Sequence, residues 1–552
     1  MTTNKEKFLK EFGDAYGYAN SSNLIDKIRA AEFKRLDQNG IVYLDHAGAT
    51  LYSELQMENV FKNLTSTIYG NPHSQSDSSV STAETIAEAR EMTMKFCNAS
   101  PEEYRCIFTS GATAALKLVG ESFPWSNSST FYYTTENHNS VLGIREYALQ
   151  QGASSVAVDI QESSDGYFSF SQRPSLVRDN HEEDQCFEDE RFSLFALPSE
   201  CNFSGLRFNM DIVNMVKDNP ASVLERSNPR NEFLVLVDGA KGSATERPDL
   251  SKYKVDFFVL SFYKLFGYPT GLGALILRNN AAKLLKKTYF GGGTVSASLA
   301  DVDFVRRREP IEEALEHGSA SFLSIASILQ GFKILNRLTL PAISRHVASL
   351  TTYTKRALSK LRHPNGRPVV ILYPPPDSEG CINTGSIVTF NLKRADGSWI
   401  GHREVEKLSN LSGIQLRSGC FCNPGACAKF LDLCHNEVIS NLEAGHVCWD
   451  DNDIINGKPT GAVRISFGYM SIYEDVQRFL DFVSSSFLFG ADQPLIFRHS
   501  PLPSEEYHLS SITVYPVKSC GGFSVDRWPL CETGKRRRSR SELCSESSRF
   551  IV

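Results

Sequence analysis

Lys264 and Asp238 are the two residues whose types and positions most directly imply chemistry. Lys264 lies in Ser261-Phe262-Tyr263-Lys264-Leu265-Phe266-Gly267, just after the mostly apolar run Val255–Leu260. Asp238 ends a second apolar run, Phe233-Leu234-Val235-Leu236-Val237. A lysine and an aspartate at the exits of two buried strands can serve a carbonyl cofactor of the pyridoxal phosphate type. The amine forms the Schiff base, and the carboxylate keeps the ring nitrogen protonated so that the ring acts as an electron sink. Read singly, each is also consistent with an ordinary polar strand end at the edge of an α/β sheet.

An anion site is expected upstream. Arg105–Thr109 reads as a short strand running into Ser110-Gly111-Ala112-Thr113 and a helix over Ala114–Val119. Small residues at a helix start leave N–H groups free where the helix dipole favours an anion, and Ser110 and Thr113 add hydroxyl donors. His138 follows the strand-like Thr130–Tyr133 and precedes an amphipathic helix from about Ser140, so its imidazole could stack on a cofactor ring or simply be a loop histidine.

Arg417-Ser418-Gly419-Cys420-Phe421-Cys422-Asn423-Pro424-Gly425-Ala426-Cys427 is a second dense stretch, which Gly and Pro make a loop. Two chemistries compete for it. Cys420, Cys422, Cys427, Cys434 and His435 could bind zinc, although the spacing is not the usual paired C-x2-C. Alternatively one thiol is a nucleophile on a mobile loop, and the company of Lys264 and Asp238 favours that. Arg464, on the strand-like Ala462–Ser466, offers the planar fork that binds a carboxylate; an ion-pair arginine is the plain alternative.

The elements that must position these residues follow from the pattern of apolar runs. At 552 residues the chain suggests two to four domains. Residues 1–40 read as two polar helices leading into a strand at Ile41–Leu44. Ser81-Thr82-Ala83-Glu84 has the capping-box form and is expected to open a helix to about Cys97. From Arg105 to Leu277, apolar runs alternate with helical segments, which predicts an α/β fold with a mostly parallel sheet covered on both faces. His181–Glu190 holds six acidic residues and reads as a solvated insertion. We place the large domain at 1–310, a smaller α+β domain carrying the cysteine loop at 311–489 (opening with a long helical segment at about 311–362), and a linker at 490–510. A strand at Ser511–Val517 opens a short region over 511–530. Residues 531–552, with the basic Gly534–Arg540 run and no apolar periodicity, read as a disordered tail or, less simply, a basic targeting tag.

Composition limits the partners. The formal net charge of −6 argues against nucleic acid as the main partner, and no stretch approaches the length of a membrane span. Thirteen cysteines without a secretion signal point to a cytoplasmic, reducing setting and to thiols rather than disulfides.

Several strings together resemble the fold-type I, class-V pyridoxal phosphate enzymes of the cysteine desulfurase type, and within them the eukaryotic, plant-like molybdenum cofactor sulfurases. They are Tyr43-Leu44-Asp45-His46-Ala47-Gly48, Tyr69-Gly70-Asn71-Pro72-His73-Ser74, Phe108–Leu116, Glu136-Asn137-His138-Asn139-Ser140, Ser261–Leu265, Gly267–Gly273 and Gly419–Cys427. The resemblance covers roughly residues 5 to 530. It implies Lys264 as Schiff-base lysine, Asp238 as ring-nitrogen partner and His138 as stacking histidine. It also implies Ser110, Gly111, Ala112, Thr113 and Ser261 as phosphate cradle, Asn202 beside the cofactor and substrate carboxylate, and Arg464 as substrate-carboxylate arginine. Cys422 aligns with the persulfide-forming cysteine, with Cys420 close behind, and Thr294 with a residue reaching the phosphate of a partner subunit in a homodimer. No metal of its own is implied. The implied reaction takes sulfur from L-cysteine, leaving alanine, and passes it to the molybdenum cofactor that activates xanthine dehydrogenase and aldehyde oxidase. The alternatives are a general cysteine desulfurase and a truncated regulatory form, because only the first strand or two of the C-terminal MOSC region of such relatives follows residue 511. Tyr263 and Lys241 depart from the desulfurase pattern, in which a histidine precedes the lysine and Gln or His stands near the cofactor oxygen.

Overall fold

The computed structural model describes residues 4–18, 24–162, 168–173, 192–224, 230–375, 385–447 and 450–488, together with four short strands beyond residue 511. The acidic insertion and the 490–510 linker lie outside the described residues. The chain divides into units Met1–Gln493 and Pro494–Val552. In the second, Ile512–Val514 pairs antiparallel with Phe523–Val525, and Leu530–Cys531 with Gly534–Lys535. Apart from Cys531 and Gly534–Lys535, the expected tail over 531–552 lies outside the described residues.

The first unit is organised by an eight-stranded sheet. Its strands run, from one edge, Tyr104–Thr109, Gly273–Arg278, Phe257–Ser261, Glu232–Asp238, Phe192–Pro198, Thr130–Thr134, Ser154–Glu162 and Phe168–Gln172. Six are mutually parallel; Gly273–Arg278 and Phe168–Gln172 run against them. The α/β expectation therefore holds. Central strands such as Phe192–Pro198 are buried along their whole length, as continuous apolar runs require when helices cover both faces. Parallel strands deliver their C-terminal ends to one edge, and Asp238, Ser261 and Pro198 all stand there.

A second, antiparallel sheet has the order Val370–Tyr373, Ile387–Lys393, Ala462–Ser466, Arg417–Gly419, with Trp399–Ile400 added to Ile387–Lys393. The segment at 311–362 is not one long helix but three, Ile311–Leu315, Phe322–Leu338 and Leu340–Ser359. Thr339, at φ +66°, breaks the last two apart, and Pro341 favours a fresh first turn. The N-terminal segment holds three helices rather than two, Asn4–Phe12, Leu24–Glu32 and Lys34–Gln38. It reaches far along the chain: Val42–Tyr43 pairs parallel with Ile414–Gln415, and Phe8 packs against Tyr353 and Tyr473. The expected capping box at Ser81–Glu84 falls inside a helix that starts at Asp77, with Ser76 as its N-cap residue. Thr82 and Thr85 there bond back to carbonyls four residues earlier, so their hydroxyls serve the helix interior. Among the described residues no helix is long and apolar enough to cross a membrane.

The lysine helix Phe262–Phe266 is wedged by aromatic packing. Phe262 and Phe266 are fully buried and meet Phe332 with ring centroids 6.2 and 5.5 Å away. Gly331 lets the helix Phe322–Leu338 approach, since a Cβ there would lie 2.2 Å from the Phe266 ring. Gly331→Ala is expected to cost about 1–3 kcal/mol through overpacking, read as a lower urea midpoint.

Burial holds three histidines neutral: His46 is pushed down to about 3, and His346 and His402 each to about 4. Their folded values lie below the unfolded value near 6.5, so the unfolded chain binds more protons as pH falls. Stability is intact above about pH 6.5 and declines toward pH 4, by about 1.4 kcal/mol per pH unit for each such histidine. Urea titrations across that window should show the decline. His346→Gln should flatten the slope; an unchanged slope would contradict this origin.

Candidate active site

A cavity of about 250 Å³ opens where the parallel strands end. It collects most of the expected residues: Ser110, Gly111, Ala112, Thr113, His138, Asn202, Asp238, Ser261 and Lys264 all line it. A cavity of about 400 Å³ elsewhere, between Phe96, Arg247 and Leu335, is mainly apolar and lacks this convergence of titratable groups.

Lys264 is positioned by its backbone as well as by its helix. Its carbonyl accepts a 2.7 Å hydrogen bond from Thr50 Oγ1. The helix then stops at Gly267, with φ +87° and a Cβ position only 2.4 Å from Tyr52 N, so only glycine fits. The lysine amine has no hydrogen-bond or ion-pair partner among the described residues. Burial pushes it below the ordinary lysine range; Asp238 pulls it up, and Arg464, Lys241 and Arg417 press it further down. A partnerless amine of lowered basicity suits attack on a carbonyl. Asp238 ends its strand with Oδ1 accepting from Ala240 N at 3.0 Å.

The anion cradle is set by strand register. Gly273 lies opposite both Thr109 and Ser261. A Cβ on it would come within 2.7 Å of Gly111 C and 2.9 Å of Ala112 N, so its bare backbone lets the 110–113 loop settle on the sheet. Gly111, at φ +132°, turns the chain into the helix Ala112–Ser122. In its first turn the Ala112 and Thr113 N–H groups have no intrahelical partner, whereas Ala114 N donates to the Gly111 carbonyl at 3.1 Å. Thr113 Oγ1 lies 2.8 Å from Ser140 Oγ. His138 caps the next short helix, its Nδ1 accepting from Ser140 N at 3.0 Å. Burial lowers its pKa despite Asp238, which keeps the imidazole neutral.

The cysteine loop meets this cleft through asparagines. Asn423 Nδ2 donates to Asn202 Oδ1 at 2.8 Å and to the Glu136 carbonyl at 2.6 Å, and its Oδ1 caps Ala426 N. Asn202 Nδ2 donates to the Phe421 carbonyl at 2.6 Å, and Asn139 N to the Cys422 carbonyl at 2.8 Å. Phe421 and Cys422 both adopt φ +56°, left-handed conformations that side chains resist. Phe421 is buried against Phe203, whereas Cys422 is exposed as a free thiol.

Cys420 and Cys427 are joined as a disulfide, which corrects the expectation of thiols only and removes Cys420 as a free nucleophile in this structure. The tight turn before Pro424 brings their Cα atoms to 5.3 Å, within bridging range. Cys97, Cys106 and Cys201 are buried free thiols. Among the described residues no group of three or more His, Cys, Asp or Glu could hold a metal ion, so the zinc alternative finds no cluster.

Three expected residues stand outside the cavity lining: the exposed Cys422 described above, Arg464 and Thr294. Arg464 is buried, with Nη2 3.0 Å from Asp45 Oδ1 and Nη1 donating to the Asn202 carbonyl at 2.7 Å. Its Nε is buried without a partner, and its guanidinium lies 4.5 Å from the Phe421 ring centre. Thr294 is fully buried, its hydroxyl donating to the Gly291 carbonyl. Asp45, Glu200 and Asn423 received no role from the sequence. Asp45 and Asn423 sit inside the motif strings; Glu200 had only its position near a strand end as a signal.

The aminotransferase class-V family description matches residues 42–180 and 219–479, which defines the class of this fold and cleft. A solved cysteine desulfurase from Thermococcus onnurineus NA1 has the same fold, with a TM-score of 0.61 over 83% of this chain and 96% of that one at 19% identity. A molybdenum cofactor sulfurase of Arabidopsis thaliana is 59% identical over 96% of this chain and 68% of its own length. One of Solanum lycopersicum is 57% identical over 97% and 67%. The chain belongs to the molybdenum cofactor sulfurase family.

Asn423→Ala should free the turn. Hydrogen exchange at Ala426 N and Asn139 N is expected to quicken at least tenfold, matching a local loss of about 1.4 kcal/mol or more, with main-sheet amides unchanged.

Proposed function

We propose that this protein is a pyridoxal phosphate-dependent sulfurtransferase that takes sulfur from L-cysteine onto Cys422 and passes it to the molybdenum cofactor. The carrying observation is the partnerless Lys264 amine sharing one cleft with Asp238, His138 and the 110–113 helix start, with the Cys422 turn hydrogen-bonded to its rim. These residues fit the cofactor: an amine for its carbonyl, a carboxylate for its ring nitrogen, free N–H groups and hydroxyls for its phosphate, and a neutral imidazole for its ring face. When bound, pyridoxal phosphate supplies an electron sink for the carbon next to the substrate nitrogen.

The chain's own residues do the rest. Asn202 and Arg464 are the groups for the substrate carboxylate, Arg464 being oriented by Asp45. Lys264 Nζ, of lowered basicity, takes and returns the α-proton. Cys422 Sγ attacks the substrate sulfur. One S–S bond forms and the substrate Cβ–S bond breaks, its electron pair remaining with carbon. Protonation of that carbon yields alanine, and Cys422 keeps the sulfur as a persulfide, so no external oxidant is needed.

In this reading the enzyme is a cytoplasmic homodimer. Tyr289, Phe290, Leu299, Val302 and Phe304 expose apolar surface around Thr294, which supports contact with a second copy there. Xanthine dehydrogenase and aldehyde oxidase are the proposed beneficiaries, on the strength of the family.

The test is purified protein with pyridoxal phosphate and L-cysteine. Wild type should release alanine and carry one persulfide per chain. Cys422→Ala should keep the visible colour and lose the persulfide, and Lys264→Ala should lose both colour and alanine release. Normal persulfide formation in Cys422→Ala would sink the assignment.

A further inference from the structure

The cleft contains a second lysine that the reaction above does not use. Lys241 lines the same cavity as Lys264 and is 5% exposed. Its Nζ lies 2.9 Å from Glu200 Oε1 and 3.3 Å from Ser386 Oγ. Glu200 is 2% exposed and is held in turn by Thr245 Oγ1 at 3.4 Å and Arg207 Nε at 3.6 Å. Gly385 closes the clamp: a Cβ there would fall 2.3 Å from the Glu200 carboxylate. Lys241 is therefore held by two partners, one of them itself clamped, rather than free to swing.

A buried ion pair is a poor device for stability alone, because desolvation consumes most of its Coulombic gain. This one lines the same cavity as the amine proposed to react as a free base. We propose that Lys241, clamped by Glu200 and Ser386, is a positioning residue whose fixed charge keeps Lys264 in its unprotonated, nucleophilic form. The proposal rests on the reading of Lys264 as the carbonyl-binding amine.

Arg464 and Lys241 both press on Lys264, and of the two only Lys241 lines the cavity with it. Facing Lys264, Asp238 favours the ammonium, while Arg464, Lys241 and Arg417 oppose it. Arg464 and Arg417 share Asp45, at 3.0 and 3.7 Å, and neither lines the cavity. His138 is neutral and Tyr263 is held as an un-ionised phenol by burial. Burial pushes Lys241 itself below the ordinary lysine range and Arg207 and Arg464 press it the same way, while the Glu200 carboxylate at 2.9 Å favours its charge. Lys241 is thus the cation that shares the cavity with Lys264, where water is scarce and like charges repel most strongly.

The test is competitive acylation of Lys264 across a pH series in the full-length chain without added cofactor, read by peptide mass spectrometry. Lys241→Gln removes the charge and keeps a donor for Glu200. It should raise the Lys264 midpoint by about one pH unit, so that labelling near neutral pH slows about tenfold. Lys241→Arg should restore the wild-type midpoint. Glu200→Gln, which removes the opposing charge, should leave the midpoint unchanged or lower it. A merely structural clamp would open the cleft in both neutral variants and raise both midpoints, which would overturn the proposal, as would an unchanged midpoint in Lys241→Gln. Failure of the underlying reading shows separately: added pyridoxal phosphate should shield Lys264 from the reagent in wild type, and full reactivity there would reject the carbonyl role whatever Lys241 does.

Discussion

The active arrangement depends on a seam of hydrogen bonds between the end of the parallel sheet and one turn of the smaller sheet. Asn202 and Asn423 bond to each other, Asn202 holds the Phe421 carbonyl, and Arg464 holds the Asn202 carbonyl. Without that seam, Cys422 would be a thiol on a surface loop with no relation to Lys264. The seam also has strain to overcome. Two successive non-glycine residues at positive φ cost about 1–3 kcal/mol each. Burial of Phe421 beside Phe203, the cap on Ala426 and the bonds from Asn139 and Asn202 offset it. In this seam the strain falls on Phe421 and on Cys422, the thiol proposed to carry sulfur.

Charge explains what the cleft is built to receive. Lys264, Lys241, Arg464 and Arg417 stand near it against Asp238, Glu200 and Asp45, and the helix at Ala112 adds free N–H groups. The carboxylates are committed inside the protein, Asp45 to two arginines and Glu200 to Lys241 and Arg207. A ligand bearing a phosphate and a carboxylate, as proposed, would meet this cationic excess, while Asp238, bonded to Ala240 N and without an ion pair among the described residues, is left for the ring nitrogen. Burial and this same excess hold down the basicity of the Lys264 amine, which has no hydrogen-bond or ion-pair partner among the described residues.

Much of this was legible in the sequence because the site sits at strand ends. Asp238 and Ser261–Lys264 each follow an unbroken apolar run, and such runs mark parallel strands whose exits share an edge. Local signals failed where distant packing decided. Ser81–Glu84 has capping chemistry but lies mid-helix, because Ser76 starts the turn earlier. The Cys420–Cys427 bridge depends on a turn geometry that spacing alone does not give. Arg464 was readable as a carboxylate binder, but not its partner Asp45, which lies 419 residues away in sequence and arrives through the bridge of Asp45 to Ser466. Glu200 had no motif, only a tertiary role.

Register is the final element of the design. Gly273 faces Thr109 on one side and Ser261 on the other, so a single residue fixes the spacing between the anion loop and the lysine helix. A slip of one position would turn every side chain of its strand to the opposite face and put a Cβ where the loop backbone must rest. The antiparallel placement of that strand between two parallel neighbours thus does what a loop could not. It holds the 110–113 loop backbone and Lys264 at a separation set by hydrogen-bond spacing, while the remote turn carrying Cys422 is held by the asparagine seam, the bond from Asn139 N and the packing of Phe421. On the proposed reading, the fold assigns rigidity to the groups that would hold the cofactor and a strained turn to Cys422, the proposed sulfur carrier.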